Sequence, residues 1–188
     1  MPRLREKFSD LKLACEHITT KTAADFVHQA GEKTGATITP QHLLYTVSDL
    51  LQGLKYHLYC LPLVKFDEDR AALLDAVRSP VNTRFFAGTD SAPHSTKVTE
   101  CGCAAGCFTG GVAPQLYAQS FDLKKGQDEF KAFLCLNGAK FYNLPVPDKT
   151  FTLVEETQEL TPCITPDGMV LPLPLGLGQK SLPWKIAP

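Results

Sequence analysis

Three observations predict a parallel α/β fold. Short apolar runs at 11–17, 36–39 and 84–90 read as strands, and segments with helical signals lie between them. The first and third of these runs end in ionisable side chains, His17 and Asp90. In parallel α/β folds active sites gather at the carboxyl ends of strands. The chain has 188 residues, 44% hydrophobic and 21% charged, which suits one substantial core rather than a disordered segment.

The first strand, 11–17, runs LKLACEH and stops at Glu16 and His17. Thr19, Thr20 and Thr22 then offer N-caps for a helix whose buried face would carry Ala23, Val27 and Ala30. Gly31 and Gly35 are expected to close that helical region, and Pro40 to stop the second strand, 36–39. Residues 42–54 are apolar enough for another helix, and 57–61 reads as extended up to Pro62. The segment 66–79, FDEDRAALLDAVRS, is amphipathic, with acids in its first turn and Arg78 in its last. It leads into the third strand, 84–90.

A Gly- and Cys-rich loop follows to Gly111, then helical material over 112–142 and a short strand near 151–155. From 161 onward proline and glycine are dense, and LPLPLGLG fits neither helix nor regular strand. The expected organisation is one domain over 1–160 with a C-terminal arm, 161–188, anchored by Trp184.

Composition excludes several functions. A formal net charge of −1 gives no electrostatic footprint for nucleic acid, and basic residues interleaved with aromatics (Lys55, Tyr56, Lys65, Phe66) are sparse. No apolar run approaches the roughly 20 residues of a membrane helix, and the charged N-terminus lacks the apolar centre of an export signal. Seven cysteines, an odd number, then read as reduced thiols of a cytoplasmic protein.

Among the polar candidates, an imidazole at His17 and a carboxylate at Asp90 suit a catalytic divalent metal such as zinc, although such a site takes about three protein ligands. His94, just past the third strand, could donate to an anionic substrate group or cap its loop. His28, His42 and His57 favour structural roles. The spacing Cys101-Gly-Cys103-Ala-Ala-Gly-Cys107 permits a zinc knuckle, or a small-residue loop packed against a neighbour.

Several blocks in order carry a resemblance: EHITT (16–20), ATITPQHL (36–43), HLYCLP (57–62), GTDSAPH (88–94), CGCAAGCF (101–108) and NGAKFYNLP (137–145). Together they resemble dihydroorotases of the homodimeric bacterial type, in the amidohydrolase superfamily. The resemblance implies a (β/α)8 barrel of the TIM type with a two-zinc centre, interconverting N-carbamoyl-L-aspartate and dihydroorotate in pyrimidine (UMP) biosynthesis. His17, ending barrel strand six, would be a zinc ligand. Asp90, ending strand eight, would bind the other zinc and act as general acid/base, passing a proton from the attacking hydroxide to the leaving amide nitrogen. His94 and Ala105 would hold the substrate carboxylate, and Leu61 would contact the pyrimidine ring through its backbone. The family loop reads CGCAG, so CGCAAG leaves Ala104 and Ala105 both eligible; Ala105 precedes the matching glycine, Gly106. In this light the cysteine loop is a substrate-facing backbone turn rather than a zinc knuckle.

The resemblance begins only at strand six. A complete barrel takes about 250 residues, and the His-x-His pair of strand one, the carboxylated lysine of strand four, the histidine of strand five and the arginine and asparagine that help hold substrate have no counterparts here. The expectation is therefore strands six to eight of the barrel plus the arm. The strand edges would be left open, and completion would come from an N-terminal half-barrel or a homodimer. The competing expectation is a catalytically inactive half-barrel that serves as an interaction or structural protein.

Overall fold

The computed structural model describes residues 2–100, 102–146 and 148–187, with Pro2 described by its backbone alone. Cys101, the first residue of the possible zinc knuckle, lies outside them, as do Met1, Pro147 and Pro188. After a short helix α1 (Pro2–Lys7), the strands β1 (Leu13–Cys15), β2 (Thr34–Ile38) and β3 (Phe85–Ala87) form one parallel sheet in the order β1-β2-β3. Cys15 pairs with Ala36, and Ala36 in turn with Phe85. The predicted parallel α/β arrangement is thus present, with β2 paired on both sides. Among the described residues β1 and β3 each have one partner, which leaves two open edges.

Helix α2 (Lys21–Gln29) follows β1 and starts at Thr20, whose hydroxyl accepts from the Ala23 N–H at 3.1 Å. Its buried residues are Ala24 and Val27, one position away from the expected Ala23, Val27 and Ala30 set at the first member. Gly35 does not close a helix; it lies inside β2, where a Cβ would sit 3.0 Å from both the Phe86 and Phe141 rings. That close approach, not a turn, is why the position takes glycine.

The helix expected over 42–54 is two short ones, α3 (Pro40–Leu44) and α4 (Val47–Leu51). Thr39 caps the first, with Pro40 in its opening turn. The break comes at Thr46, which forms a capping box: its N–H donates to Asp49 Oδ2 at 2.8 Å. The extended segment expected at 57–61 begins as a 3-10 turn over Tyr56–Leu58. Helix α5 (Asp67–Arg78) matches its amphipathic pattern, with Leu73, Ala76 and Val77 facing the sheet.

Strand residues alternate between two faces. Ala36, Ile38 and Phe85 point outward into a core shared with α2, α5 and Phe133. Each large aliphatic or aromatic side chain buried there contributes about 1.5–3 kcal/mol. Thr37 and Phe86, paired in the ladder, point to the opposite face, where Phe86 packs against the rings of Phe141 and Tyr142 at 5.4 and 5.7 Å.

After β3 comes a loop with a two-residue ladder, β4 (Val98–Thr99) with β5 (Gly102–Cys103). The helical region 112–142 is interrupted. Helix α6 (Ala113–Ala118) ends well before α7 (Gln127–Lys131), a π-helical stretch over Ala132–Leu136 and α8 (Asn137–Tyr142), which run on as one rod. Asn143, in the left-handed region at φ 56°, stops it.

The remaining chain forms three antiparallel ladders: β6 (Leu153–Val154) with β11 (Lys185–Ile186), β7 (Gln158–Glu159) with β10 (Ser181–Leu182), and β8 (Cys163–Thr165) with β9 (Gly168–Val170). The LPLPLGLG segment, expected to be irregular, contains one helical turn, α9 (Leu173–Gly176). Trp184 is only half-buried; Leu173 and Leu182, each 1% exposed, are the buried anchors. Among the described residues no helix is long and apolar enough to cross a membrane.

Candidate active site

Beyond the carboxyl ends of β1 and β3 the chain turns twice in the same unusual way. His17, two residues past β1, has φ 41°, and Asp90, three residues past β3, has φ 43°. Non-glycine residues reach this left-handed region at a cost, and such positions cluster at functional sites. The two flank β2, so their parent strands lie two sheet spacings apart, about 10 Å.

Thr37, on the inner face of β2, holds both turns. Its hydroxyl accepts from the His17 N–H at 2.6 Å and donates to the Glu16 carboxylate at 2.5 Å, while its carbonyl accepts from the Ile18 N–H at 3.1 Å. On the other side Gly88 lies flush against it, so close that a Cβ on Gly88 would sit 2.6 Å from Thr37 Cβ. Asp90 is exposed and its backbone is fixed from both directions. Thr109 Oγ1 donates to the Thr89 carbonyl, Ser91 Oγ accepts from the N–H groups of Thr109 and Gly110, and the Ala92 N–H donates to the Cys107 carbonyl.

His17 supplies a direct test of metal chemistry. Its Nδ1 is shielded from solvent and has no hydrogen-bond partner among the described residues. A buried polar atom left unpaired costs about 1–3 kcal/mol, and a cation would satisfy it. The donor types of His17 and Asp90 therefore fit part of a divalent metal centre. They are not a complete one, since among the described residues no three His, Cys, Asp or Glu side chains come together as a possible metal site.

The predicted substrate residues fall on two loops that touch. His94 Nε2 donates to the Ala105 carbonyl at 2.9 Å, so two of these residues are direct partners. Gly106, at φ 146°, lets the loop close over them: a Cβ there would meet Ala92 Cβ at 2.6 Å and His94 Nε2 at 3.0 Å. The Gly106 N–H donates to the Tyr59 carbonyl at 2.9 Å, which ties this loop to the one bearing Leu61. Leu61 is 63% exposed and has no backbone hydrogen-bond partner among the described residues, so its peptide groups are free for a ligand. Among the described residues no hydrogen bond joins His17 to these loops directly.

Cys103 and Cys107 do not present themselves as a knuckle. Their sulfurs lie on the carbonyls of Tyr56 at 3.6 Å and His57 at 3.3 Å. The neighbouring Cys60 sulfur pushes the pKa of the Cys107 thiol far up, and burial adds to that. The other histidines behave structurally. His42 is 3% exposed, with Nδ1 on Thr39 Oγ1 at 2.7 Å and Nε2 on the Pro62 carbonyl at 2.8 Å. His28 stacks edge-on against Phe85 at 4.8 Å.

Two participants went unseen in the sequence. Thr37 lay inside an apolar strand pattern. Lys97 is a lone basic residue in a polar loop, yet it is 7% exposed, and its ammonium donates to the carbonyls of Tyr59, Ala104 and Gly106 at 3.1, 2.5 and 2.7 Å. Burial lowers its pKa below the ordinary lysine value, against the opposing pull of the thiols of Cys103, Cys107 and Cys60. No local signal marks a lysine as buried when its acceptors are backbone carbonyls up to 38 residues away.

No protein-family profile matches the chain. Curated proteins named dihydroorotase do: that of Picosynechococcus is 43% identical across 98% of this chain, that of Pseudomonas aeruginosa 44% across 98%, and that of Cupriavidus metallidurans 45% across 98%. In these alignments the chain spans only 53–54% of the relative, about half its length. Among solved structures, dihydroorotase from Campylobacter jejuni superposes with TM-score 0.86 at 31% identity, over 100% of this chain and 54% of that one. Dihydroorotase from Saccharomyces cerevisiae, in complex with 5-fluoroorotic acid, gives 0.85 at 26%, over 99% and 54%. A D-hydantoinase from Thermus at 13% identity, with TM-score 0.73, shares the fold.

Proposed function

We propose that this chain, which corresponds in sequence and fold to the C-terminal half of a dihydroorotase, supplies one side of the active site of a zinc-dependent cyclic amidohydrolase. The reaction is the interconversion of dihydroorotate and N-carbamoyl-L-aspartate in pyrimidine biosynthesis, in the cytoplasm. One observation carries this reading: a histidine and an aspartate stand in matching left-handed turns at the ends of β1 and β3, and the histidine has a shielded, unpaired Nδ1.

His17 and Asp90 would each hold one of two zinc ions. When bound, the ions supply a hydroxide near neutral pH and polarise the ring carbonyl. Asp90 accepts the proton of the attacking nucleophile and returns it to the ring nitrogen as the C–N bond breaks, so one carboxylate serves both directions of the reaction. Its exposure and rigid backbone suit that exchange, because the group must meet both atoms without rebuilding the turn. His94 and Ala105 hold the substrate carboxylate, and the Leu61 peptide groups meet the pyrimidine ring. Among the described residues no third ligand joins His17 and Asp90, and a further segment, as an N-terminal half-barrel, would complete the site and cover the edges of β1 and β3.

Dihydroorotate hydrolysis and zinc content test this together. The purified chain alone should turn over no substrate. Joined to a segment that supplies the missing ligands, it should gain turnover with about two zinc ions per site, and Asp90→Asn should lower kcat by about 10²–10⁴-fold. Full turnover by the chain alone would refute its incompleteness. A completed barrel with little or no zinc would favour the inactive, structural reading instead.

A further inference from the structure

Lys97 has no part in the proposed chemistry, yet it occupies the centre of the substrate-facing loops. We infer that Lys97 is a positioning residue: its buried ammonium turns the Ala105 amide toward the site, where it can receive an anionic carboxylate. The inference rests on the carboxylate-binding reading of His94 and Ala105 given above.

The geometry runs through the peptide planes. An ammonium has three N–H donors, and Lys97 spends all of them on the carbonyls of Tyr59, Ala104 and Gly106. In a trans peptide the C=O and the following N–H point in opposite directions. Gripping the Ala104 carbonyl from beneath therefore sends the Ala105 N–H away from Lys97. That N–H has no hydrogen-bond partner among the described residues. Ala104 itself is fully occupied, because its N–H donates to the Lys97 carbonyl at 2.8 Å and its own carbonyl takes the ammonium. Of the two alanines in the six-residue loop, Ala105 is the one whose donor is free among the described residues.

Charge acts in the same direction. Among the described residues no carboxylate forms an ion pair with Lys97. Its positive charge sits behind the loop with the carbonyl ends of three amide dipoles turned toward it. A buried cation in that setting favours an anion on the far side of the amides. His94, bonded to the Ala105 carbonyl, fixes the following peptide unit, Ala105–Gly106, so the Ala105 amide is held from both of its neighbouring planes.

The test uses this chain with three substitutions, K97M, K97Q and K97R. Amide exchange of Gly106, whose N–H is bonded to Tyr59, reads the loop without any ligand, and Val77 in α5 reads the fold. K97M should speed Gly106 exchange at least tenfold with Val77 unchanged, K97Q should fall between, and K97R should stay within threefold of the parent. Unchanged Gly106 protection in K97M overturns the inference. Should K97M fail to fold, K97Q decides: parent-like exchange there overturns it equally. The Ala105 amide resonance is then titrated with N-carbamoyl-L-aspartate. A response in the parent that weakens at least tenfold in K97M and recovers in K97R supports positioning, and equal affinity in parent and K97M overturns it. If the parent amide does not respond, the carboxylate-binding reading fails, and the exchange data alone decide whether Lys97 sets the loop.

Discussion

Replacing Gly88 by alanine probes the contact that joins the two turns of the site. The added Cβ would stand 2.6 Å from Thr37 Cβ, 2.8 Å from its Cγ2 and 3.2 Å from its Oγ1. The nearest of these falls about 0.8 Å short of ordinary contact, and the obstacle is the root of a buried β-branched residue on a central strand, not the end of a flexible chain. Overpacking of this kind costs about 1–3 kcal/mol. In a domain of this size that lowers Tm by roughly 2–12 °C. Denaturant and thermal unfolding of Gly88→Ala measure the cost. A double-mutant cycle with Thr37→Gly isolates it, since removing the opposing atoms should recover at least about 1 kcal/mol. A Gly88→Ala protein within about 0.5 kcal/mol of the parent, or a cycle with no coupling, would refute the view that Thr37 and Gly88 are locked together.

The same measurements serve four further substitutions or conditions. Gly106→Ala, at φ 146° with Ala92 Cβ 2.6 Å away, should destabilise by about 1–3 kcal/mol and raise exchange in the 102–107 loop first. His42→Phe loses two buried hydrogen bonds and should cost about 1–3 kcal/mol in denaturant unfolding. Tyr117→Phe removes the bond from its buried hydroxyl to the Ile38 carbonyl at 2.8 Å, for about 0.5–1.5 kcal/mol. Burial, then the Lys97 charge, depresses the pKa of His57 below its usual 6.5, so the unfolded chain takes up a proton that the folded chain resists. Stability from this source is present above about pH 6.5 and declines as pH falls below it; His57→Gln should flatten that slope in unfolding titrations.

Much of the architecture was readable because it rests on local signals. Amphipathic spacing in 66–79 and the strand ends at His17 and Asp90 are properties of consecutive residues. Gly35 was misread because a strand glycine facing two aromatic rings looks, in sequence, like a turn glycine. Residues 42–54 divided into two helices because Thr46 and Asp49 form a capping box inside an apolar stretch, and local capping outweighed periodicity. The site was legible as a set of residue types and opaque as a framework. Thr37 serves His17 across 20 residues and Lys97 serves Tyr59 across 38, and neither span leaves a pattern in the chain. The brace at the far end is similar: α9 presents Gly176 against His57, where a Cβ would meet the ring at 2.4 Å. The proline-rich tail thus supports the loop that carries Leu61.

The paired left-handed turns at His17 and Asp90 also bear on how this protein would respond to selection for heat resistance. Each holds a side chain in a backbone conformation that costs about 1–3 kcal/mol for a non-glycine residue. Glycine would relieve most of that strain, less the roughly 0.5–1 kcal/mol of extra freedom it gives the unfolded chain. Positions 17 and 90 are therefore where a screen for thermostability alone would find easy gains, and each gain would erase a proposed zinc ligand. Stability and activity are set against each other at two identifiable dihedral angles.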